Sequence, residues 1–351
     1  MAIHLRKFHV KCIVGGALLA IASLSHAQGI TMATWGGGVG KAWREAFAKP
    51  FAAETGIPVN IVEVPIPEAQ IRAQKDAPKY NAAISSLWEA VQMHDDGLLE
   101  EFDLKDIPAL KDVPEKYLLK TASGRVVGVS VYMSYYGIAV NTELAKSSDF
   151  ASWKNLGDDK WKGKLSITRP VYSSAYDLTI FSVAEGGSEK DPAKGLPLLT
   201  KLAANSLAMY GSMAQMNQLL QRGEVAAAPY YSTRIWEMRR EGVKNVDFVI
   251  PKEGGLALPY VVVVPKNASG RQDYMKWLNY VAQPEGQVRM ADVAGYMPLN
   301  SKAKLSPTAE KELGQPLATL MTKLYQPDWV HVAKSRKERV ALAEKAMAAA
   351  K

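Results

Sequence analysis

A cluster of glycines, Gly36-Gly37-Gly38-Val39-Gly40, follows an apolar segment and is the first pattern in the sequence that could do chemistry. Such clusters can bring the backbone close to a phosphate group. A dinucleotide-binding turn needs another glycine three residues after Gly40, but that position holds Trp43. A phosphate loop needs Ser or Thr after Gly-Lys to hold magnesium, and Gly40-Lys41 is followed by Ala42. The spacing therefore argues against a nucleotide site.

The sequence also lacks the residue patterns that metal-assisted or nucleophilic catalysis requires. Beyond residue 27 the sequence keeps only His94 and His331, in different segments, so a cluster of metal ligands is not predicted. The string nearest to a nucleophile elbow, Gly128-Val129-Ser130-Val131-Tyr132, lacks the final glycine. We therefore expect no catalytic residue, no bound metal, no cofactor and no enzymatic activity.

The first 27 residues are typical of an export signal. Arg6, Lys7 and Lys11 accompany an apolar run that starts at residue 12, and Ser25-His26-Ala27 offers small residues where a signal peptidase cleaves. The run is shorter than the roughly 20 residues that span a bilayer. Cleavage after Ala27 would remove the only cysteine and leave a periplasmic chain, residues 28–351, with 40 basic and 35 acidic side chains. This small, scattered excess of positive charge does not predict a nucleic-acid partner.

Alternating strand and helix patterns predict an α/β fold. Residues 30–35 and 57–64 are predicted strands, and apolar residues recur every four positions between them, as on one face of a helix. This order is the strand–helix–strand unit of a parallel sheet. Further strands are predicted at 82–84, 126–131, 137–140, 165–168, 225–229, 246–249 and 260–264, and helices at 173–185, 194–208, 213–222, 270–282, 284–293 and after 306.

Six strings occur in one consistent order along the chain: Thr34-Trp35-Gly36-Gly37 and those at residues 47–57, 161–165, 223–225, 248–255 and 295–300. In that order they resemble the spermidine/putrescine-type periplasmic solute-binding proteins. The resemblance implies a type II periplasmic-binding-protein fold, in which two α/β lobes are joined by crossing hinge strands and enclose a ligand. It also implies the substrate-binding component of an ABC importer, with a small-molecule ligand and an inner-membrane ABC permease as partners.

The resemblance leads to a division of the chain into lobes. We expect residues 28–138 and 261–300 to form the first lobe, and residues 139–260 and 301–351 to form the second, in a monomer.

Candidate ligand-binding residues follow from the position of ligands in open α/β sheets, which bind beyond the carboxyl ends of the strands. Each candidate also has an ordinary structural explanation, because glycines make turns, serines cap helices and aromatic rings pack in hinges. The predicted ligand-binding residues are Trp35, Gly36, Gly37, Ser85, Ser86, Tyr135, Tyr136, Arg169, Ser173, Ser174, Tyr231, Ser232, Leu258 and Tyr260.

The charges expected around these positions differ from those of a polyamine site. Polyamine binders of this family hold ammonium groups with carboxylates and aromatic walls. Here Tyr260 replaces an expected acid, Leu258 replaces its aromatic neighbour, and Arg169 follows a strand where the family places acids. Arg169 could anchor a carboxylate or phosphonate through two parallel hydrogen bonds. Backbone N–H groups at Ser173 and Ser174, where a helix is predicted to begin, could add to this anion site. We therefore expect a small anionic or zwitterionic organic ligand.

Three alternatives remain open from the sequence. A polyamine could bind the same fold through acids placed elsewhere. Ferric ion could bind the adjacent phenols of Tyr230 and Tyr231. An enzyme could also be built on the same two lobes.

Overall fold

The computed structural model describes residues 29–350, and the predicted signal peptide, residues 1–27, lies outside them. Eleven strands in this range form one mixed sheet. They are β1 (Ile30–Thr34), β2 (Val59–Glu63), β3 (Ala82–Ser86), β4 (Val129–Asn141), β5 (Leu165–Thr168), β6 (Ser206–Tyr210), β7 (Ala227–Tyr231), β8 (Val246–Val249), β9 (Gly255–Val263), β10 (Met297–Pro298) and β11 (Leu324–Tyr325). The main order is β2-β1-β3-β9-β4-β7-β5-β6, with β8 and β10 paired to β4 and β11 paired to β9.

Helices cover the sheet on both sides, and within residues 29–350 none of them is long and apolar enough to cross a bilayer. The helices are α1 (Gly38–Trp43), α2 (Lys49–Thr55), α3 (Pro67–Ala73), α4 (Leu87–Asp95), α5 (Pro170–Ser173), α6 (Asp177–Ala184), α7 (Pro192–Asn205), α8 (Met213–Gln221), α9 (Ser232–Arg240), α10 (Arg271–Ala282), α11 (Pro284–Ala294), α12 (Pro307–Leu313), α13 (Leu317–Thr322), α14 (Trp329–Lys334) and α15 (Arg336–Ala348). Short 3₁₀ turns occupy Leu104–Asp106, Pro108–Asp112, Glu115–Tyr117, Ser147–Phe150, Trp153–Gly157 and Asp159–Trp161.

The first strand–helix–strand unit forms as the apolar spacing predicts. β1 pairs in parallel with β2, from Ile30 opposite Val59 to Thr34 opposite Glu63. The apolar stripe of the connecting helix is buried. This helix runs through α1 and α2 and changes to π-type hydrogen bonding over Arg44–Ala48. Gly56 ends the helix at φ 71°, a left-handed conformation that costs a glycine little because it has no Cβ.

Two long antiparallel strands, β4 and β9, connect the lobes. β9 pairs with β3 of the first lobe, and β4 pairs with β9 along most of its length. The second half of β4 pairs with β7 and β8, which belong to the second lobe together with β5 and β6. These are the crossing hinge strands of the predicted type II periplasmic-binding-protein fold, and the predicted fold class is confirmed.

Three groups of buried apolar side chains hold the elements together. One fills the first lobe around Trp43, Phe51 and Trp277. A smaller one lies between α8, α9 and the sheet of the second lobe. The third continues from α4 of the first lobe through α6 and α7 of the second lobe to α14 and α15. The C-terminal helices therefore pack against both lobes.

The structure differs from the predicted elements at three places. The two predicted strands at 126–131 and 137–140 belong to one strand, β4. Residues 206–208, predicted as the end of a helix, belong to β6, where burial alternates from residue to residue as on an edge strand. The helix predicted to begin at Ser173 begins at Pro170, because proline favours the first helical turn, and a second helix starts at Asp177.

The second lobe does not take all of the C-terminal residues that the sequence assigns to it. Leu305, Ala309 and Leu320 are buried in the apolar core of the first lobe, and α12 packs against α11. The expected placement of residues 301–351 in the second lobe is therefore too broad, because α12 and α13 present apolar side chains to the first lobe.

Candidate functional site

The floor of the cleft is one face of the two crossing strands. Tyr132 lies opposite Tyr260, and Ser134 lies opposite Leu258. Side chains alternate between the faces of a strand, so these residues share a face, which we call the front face. The predicted site residue Tyr135 lies on the opposite face, where it lines a cavity of about 420 Å³ behind the hinge. Tyr135 therefore does not join the predicted residues of the front face, and the predicted residue Ser232 lines the same cavity as Tyr135.

Aromatic rings of the first lobe form one wall of the cleft. The ring centroids of Trp35 and Tyr260 are 5.5 Å apart, and those of Tyr132 and Tyr296 are 4.5 Å apart. The Tyr260 hydroxyl lies 3.0 Å from Ser134 Oγ. Burial raises the pKa of the Tyr260 phenol, which keeps it neutral. The structure thus brings together three of the predicted residues, Trp35, Leu258 and Tyr260, at the front face.

A second aromatic wall belongs to the second lobe. Tyr231 contacts Tyr136 and Tyr176 edge-to-face, at centroid distances of 5.3 and 6.0 Å, and Tyr172 stacks on Tyr176 at 6.4 Å. Trp88 of the first lobe donates a hydrogen bond from Nε1 to the Tyr176 hydroxyl at 3.1 Å. The two lobes therefore touch through aromatic side chains at the cleft.

Glu89 places a carboxylate at this contact. It occupies the first turn of α4, where the Ser86 hydroxyl donates to Glu89 Oε2 at 2.6 Å and the Glu89 backbone N–H donates to Ser86 Oγ at 3.3 Å. This capping box fixes the carboxylate beside the strand end. Burial raises the pKa of Glu89 to about 7, and the negative charge of Glu89 raises the pKa of both Tyr172 and Tyr176. The cleft therefore contains an acid.

Asp177 is a second acid, buried beneath the wall of the second lobe. The Tyr136 hydroxyl donates to Oδ1 at 2.8 Å and the Ser173 hydroxyl donates to Oδ2 at 2.7 Å. Burial raises the pKa of Asp177 to about 7, against the lowering effect of both hydrogen bonds. Two predicted site residues, Tyr136 and Ser173, are thus held by a buried carboxyl group.

Arg169 is the N-cap residue of α5 and directly follows β5. Its exposed guanidinium lies over the Tyr172 ring at 5.3 Å. Ser173 and Ser174 lie at the carboxyl end of this four-residue helix, and the Ser174 hydroxyl donates to the Val171 carbonyl at 3.0 Å. The predicted anion site at their backbone N–H groups is therefore wrong, because these groups donate to Arg169 and Pro170 carbonyls at 2.9 and 2.8 Å.

The glycine turn after β1 is shaped by Glu63. The Gly37 N–H donates to Glu63 Oε2 at 2.9 Å, and Arg44 Nη1 donates to Oε1 at 2.7 Å. Gly37 has φ 75°, which favours glycine, and a Cβ on Gly40 would collide with the Glu63 side chain. Gly36 packs next to the same carboxylate. These contacts account for Gly36 and Gly37 as turn residues behind Trp35.

The remaining predicted serines also make internal hydrogen bonds. The Ser85 hydroxyl is buried and donates to the Ser86 carbonyl at 3.0 Å. Ser232 begins α9, and its Oγ accepts from the Tyr135 N–H at 3.2 Å. Among the predicted serines, Ser86 is the one whose hydroxyl contacts the cleft carboxylate of Glu89.

Helix α9 of the second lobe meets the first lobe behind the hinge, at the cavity that Tyr135 lines. Glu312 of α12 accepts from Trp236 Nε1 at 2.9 Å and from Arg240 Nε and Nη2 at 2.9 and 2.8 Å. Arg240 also stacks on Trp236 at 4.3 Å. A Cβ on Gly295 would collide with the Trp236 ring, so the helices approach closely. We call Trp236, Arg240 and Glu312 the clasp.

The paired phenols expected for ferric ion do not converge. The Tyr230 hydroxyl donates to Asn217 Oδ1 at 2.8 Å, whereas Tyr231 belongs to the aromatic wall of the cleft. Burial raises the pKa of both phenols, which disfavours the phenolates that ferric ion requires. Among residues 29–350, His, Cys, Asp and Glu form no group of three that could hold a metal.

The family of bacterial extracellular solute-binding proteins matches residues 46–314 of the chain. The chain belongs to this family. The predicted family and the predicted role as the periplasmic solute-binding component of an ABC transporter are confirmed. The members of this family are transport-binding proteins and act outside the cytoplasm.

Individual relatives of this solute-binding protein differ in what they bind. Spermidine/putrescine-binding periplasmic protein 1 of Haemophilus influenzae is 24% identical over 261 residues, 72% of this chain and 71% of that protein. A Salmonella typhimurium protein, whose name provisionally assigns it to 2-aminoethylphosphonate binding, is 23% identical over 301 residues, 84% of each chain.

Solved structures share the fold of this solute-binding protein. The Atu4243-GABA receptor superposes with a TM-score of 0.74 at 21% identity, covering 92% of this chain and 98% of that one. MotA of A. tumefaciens in complex with glucopine also has a TM-score of 0.74, at 19% identity, covering 91% of this chain and 99% of that one.

Sequence reasoning missed Glu89, Tyr132, Ser134 and four further residues of the cleft. Glu89 follows Ser86 in the Ser-x-x-Glu pattern of a capping box, so its position at the end of a strand could have been recognised. No local signal identifies the others, because each reaches the cleft through packing between distant segments. The four further residues are Trp88, Tyr172, Tyr176 and Tyr296.

Proposed function

We propose that the cleft binds a small zwitterionic organic solute, which carries an ammonium group at one end and an acid group at the other. The observation that supports this ligand is the position of Tyr172. Its ring lies under the Arg169 guanidinium. Burial and the negative charge of Glu89 raise the pKa of its hydroxyl, and the positive charge of Arg169 lowers it. One wall of the cleft thus meets a carboxylate and a guanidinium.

The ammonium end is assigned to Glu89 and the aromatic walls. A cation in a closed cleft needs a paired charge, and aromatic faces attract it further. Glu89 is half-buried, and its charge acts on Tyr260 of the first lobe and on Tyr176 of the second. A bound ammonium group stabilises the ionised carboxylate, so ligand binding is expected to lower the pKa of Glu89 from about 7.

The acid end is assigned to Arg169. Its guanidinium is exposed at the end of β5, and the planar fork binds a carboxylate or phosphonate through two hydrogen bonds. Stacking on Tyr172 limits the orientations of the guanidinium before the ligand arrives. The names of several relatives agree with a zwitterion, because 2-aminoethylphosphonate, GABA and glucopine each combine a nitrogen base with an acid group.

Four compounds with the same number of carbon atoms, but with different charged ends, test the proposal: 4-aminobutyrate, butyrate, butylamine and putrescine. Isothermal titration calorimetry on the mature protein should give the tightest binding for 4-aminobutyrate, at least tenfold tighter than for either singly charged compound. Arg169→Gln should weaken 4-aminobutyrate by about 1.5–3 kcal/mol, the range for charged hydrogen bonds, and leave butylamine unchanged. Lys162→Gln, an exposed change on the same lobe, is the matched control. Butyrate binding as well as 4-aminobutyrate would overturn the proposal.

A polyamine is the second candidate, and Glu89 is the observation that favours it. Two relatives are named as spermidine/putrescine-binding proteins, and the cleft has an acid that the sequence-based charge argument did not foresee. If putrescine binds more tightly than 4-aminobutyrate, and Glu89→Gln abolishes its binding, the ligand is a diamine and the zwitterion proposal is wrong.

We further propose that the protein is exported with loss of residues 1–27, acts as a monomer without nucleic acid, and delivers its ligand to an inner-membrane ABC permease. The lobes proposed are residues 28–138 and 261–300, and residues 139–260 with the C-terminal helices α14 and α15. N-terminal sequencing of the periplasmic protein tests the cleavage after Ala27, and light scattering tests the monomer.

A further inference from the structure

Helices α14 and α15, residues 329–348, form a segment that we call the strap. Helix α14 packs against α4 of the first lobe, and α15 packs against α5 and α7 of the second. Trp329 and Val332 of α14 are buried in the same apolar group as Ala343 of α15. The strap therefore joins α4 of the first lobe to α5 and α7 of the second.

Arg339 anchors the strap to the segment that carries Arg169. Its side chain is 1% exposed and donates to the Ser174 carbonyl at 3.0 Å, the Glu189 carbonyl at 2.7 Å and Thr179 Oγ1 at 2.6 Å. A buried guanidinium satisfied by three separate acceptors holds those acceptors in fixed positions. The position of α15 relative to Arg169 and Tyr172 is therefore well determined.

Arg336 lies one helical turn before Arg339 and points to the first lobe. Its guanidinium lies over the Trp88 ring at 5.3 Å, and Nη1 donates to Gln92 Oε1 at 2.8 Å. Trp88 in turn donates to Tyr176 in the cleft. Arg336 is half-buried, and this single hydrogen bond occupies one of the five N–H donors of its guanidinium.

The charge of Arg336 affects the pKa values of Glu89 and Tyr172, two groups of the proposed ligand site. Burial raises the pKa of Glu89, and the positive charge of Arg336 opposes that rise. Arg169 and Arg336 both lower the pKa of Tyr172 against the effect of its burial. Glu68, which also faces this region, is paired with Arg72 at 2.8 Å. The Arg169 guanidinium lies over Tyr172, which stacks on Tyr176, and the Arg336 guanidinium lies over Trp88, which donates a hydrogen bond to Tyr176. Both guanidiniums therefore lie over rings that contact Tyr176.

We propose that Arg336 is a ligand-binding residue, which together with Arg169 holds the acid group of the ligand and selects a doubly charged oxyanion such as a phosphonate over a carboxylate. This inference rests on the proposed zwitterionic ligand and specifies its acid end. Two guanidinium forks present more donors than the two oxygens of a carboxylate can use, whereas a phosphonate has three oxygens and a second negative charge.

The test compares two zwitterions with the same three-carbon spacer, 3-aminopropylphosphonate and 4-aminobutyrate, by calorimetry at pH 8. The wild-type protein should bind the phosphonate at least tenfold more tightly. Arg336→Gln should weaken the phosphonate at least tenfold and 4-aminobutyrate less than threefold. Arg336→Lys keeps the positive charge without the planar guanidinium. Its affinity for the phosphonate should fall between those of the wild-type protein and Arg336→Gln. Lys337→Gln removes an exposed charge from the same helix and should change neither affinity.

The outcomes separate this inference from the proposed function. If the wild-type protein binds 4-aminobutyrate as tightly as the phosphonate, or if Arg336→Gln weakens both ligands equally, Arg336 has a structural role only and the inference is overturned. If the wild-type protein binds neither zwitterion, the proposed ligand class itself is wrong. Circular dichroism of each variant shows whether the strap remains folded, and a folded Arg336→Gln variant with unchanged phosphonate affinity also overturns the inference.

Discussion

The lobes meet at the strap and, behind the hinge, at the clasp, and the two contacts differ in kind. On the strap side, Trp329 is 3% exposed and packs edge-to-face on Tyr176 at 6.0 Å, and Arg339 is buried. On the clasp side, the side chains of Arg240 and Glu312 are 39% and 31% exposed. The strap side therefore depends on apolar burial, and the clasp side depends on an ion pair near solvent.

This difference indicates which of the two contacts breaks first when the lobes move apart. A surface ion pair contributes about 0–1 kcal/mol, whereas a buried tryptophan contributes several times more. A movement that breaks the clasp and keeps the strap packed costs the least free energy. We therefore expect the clasp to break first when the lobes move apart, while the strap stays packed.

The largest effect is expected from removing the aromatic contact of the strap. Trp329→Ala should lower the free energy of unfolding by about 3–5 kcal/mol, the usual cost of deleting a buried aromatic side chain. Urea denaturation measures this change. The matched substitution Trp236→Ala, at the half-buried tryptophan of the clasp, should cost clearly less. Equal costs at the two positions would contradict the distinction between the two sides.

A smaller effect on stability is expected from a change of pH. It acts through α6, the helix that accepts a hydrogen bond from Arg339 of the strap. Asp177 begins α6, the helix that also carries Thr179, and its pKa of about 7 lies above the ordinary value of 3.8. Between these values the folded protein binds more protons than the unfolded chain, so stability falls as pH rises through this window. From pH 5 to pH 8 the wild-type protein should lose on the order of 2 kcal/mol more than Asp177→Asn. Urea denaturation at both pH values measures the losses, and equal losses would show that Asp177 does not carry this dependence.

The smallest effect is expected at the clasp. Glu312→Gln should shift the ligand-free protein toward the open form by at most about 1 kcal/mol, roughly fivefold in the ratio of the two forms. Fluorescence energy transfer between dyes on the two lobes measures this ratio. Because salt screens exposed charges, 1 M NaCl should abolish the difference between the variant and the wild-type protein. A difference that persists in salt would mean that the clasp acts through packing.

Local patterns predicted most of the elements and about half of the candidate site. The β5 and β8 bounds agree with prediction because short β-branched runs end at clear turns. Trp35 and Arg169 follow strands, Ser86 and Tyr231 end strands, and Tyr260 lies within β9. All five make contacts at the front face or the aromatic walls. Tyr135 was wrongly grouped with its neighbour Tyr136, because adjacent residues of a strand face opposite sides.

The sequence by itself determined the family, the α/β architecture and the small net charge, since these depend on composition, apolar periodicity and strings read along the chain. Only the tertiary structure decided the charges of the cleft. Glu89, Tyr172 and Arg336 are separated by long stretches of sequence. The charges of Glu89 and Arg336 nevertheless affect the pKa of Tyr172, because the register of β4 with β9 and the packing of the strap join the two lobes. The pKa of Glu89 likewise follows from burial, a property that no local pattern contains.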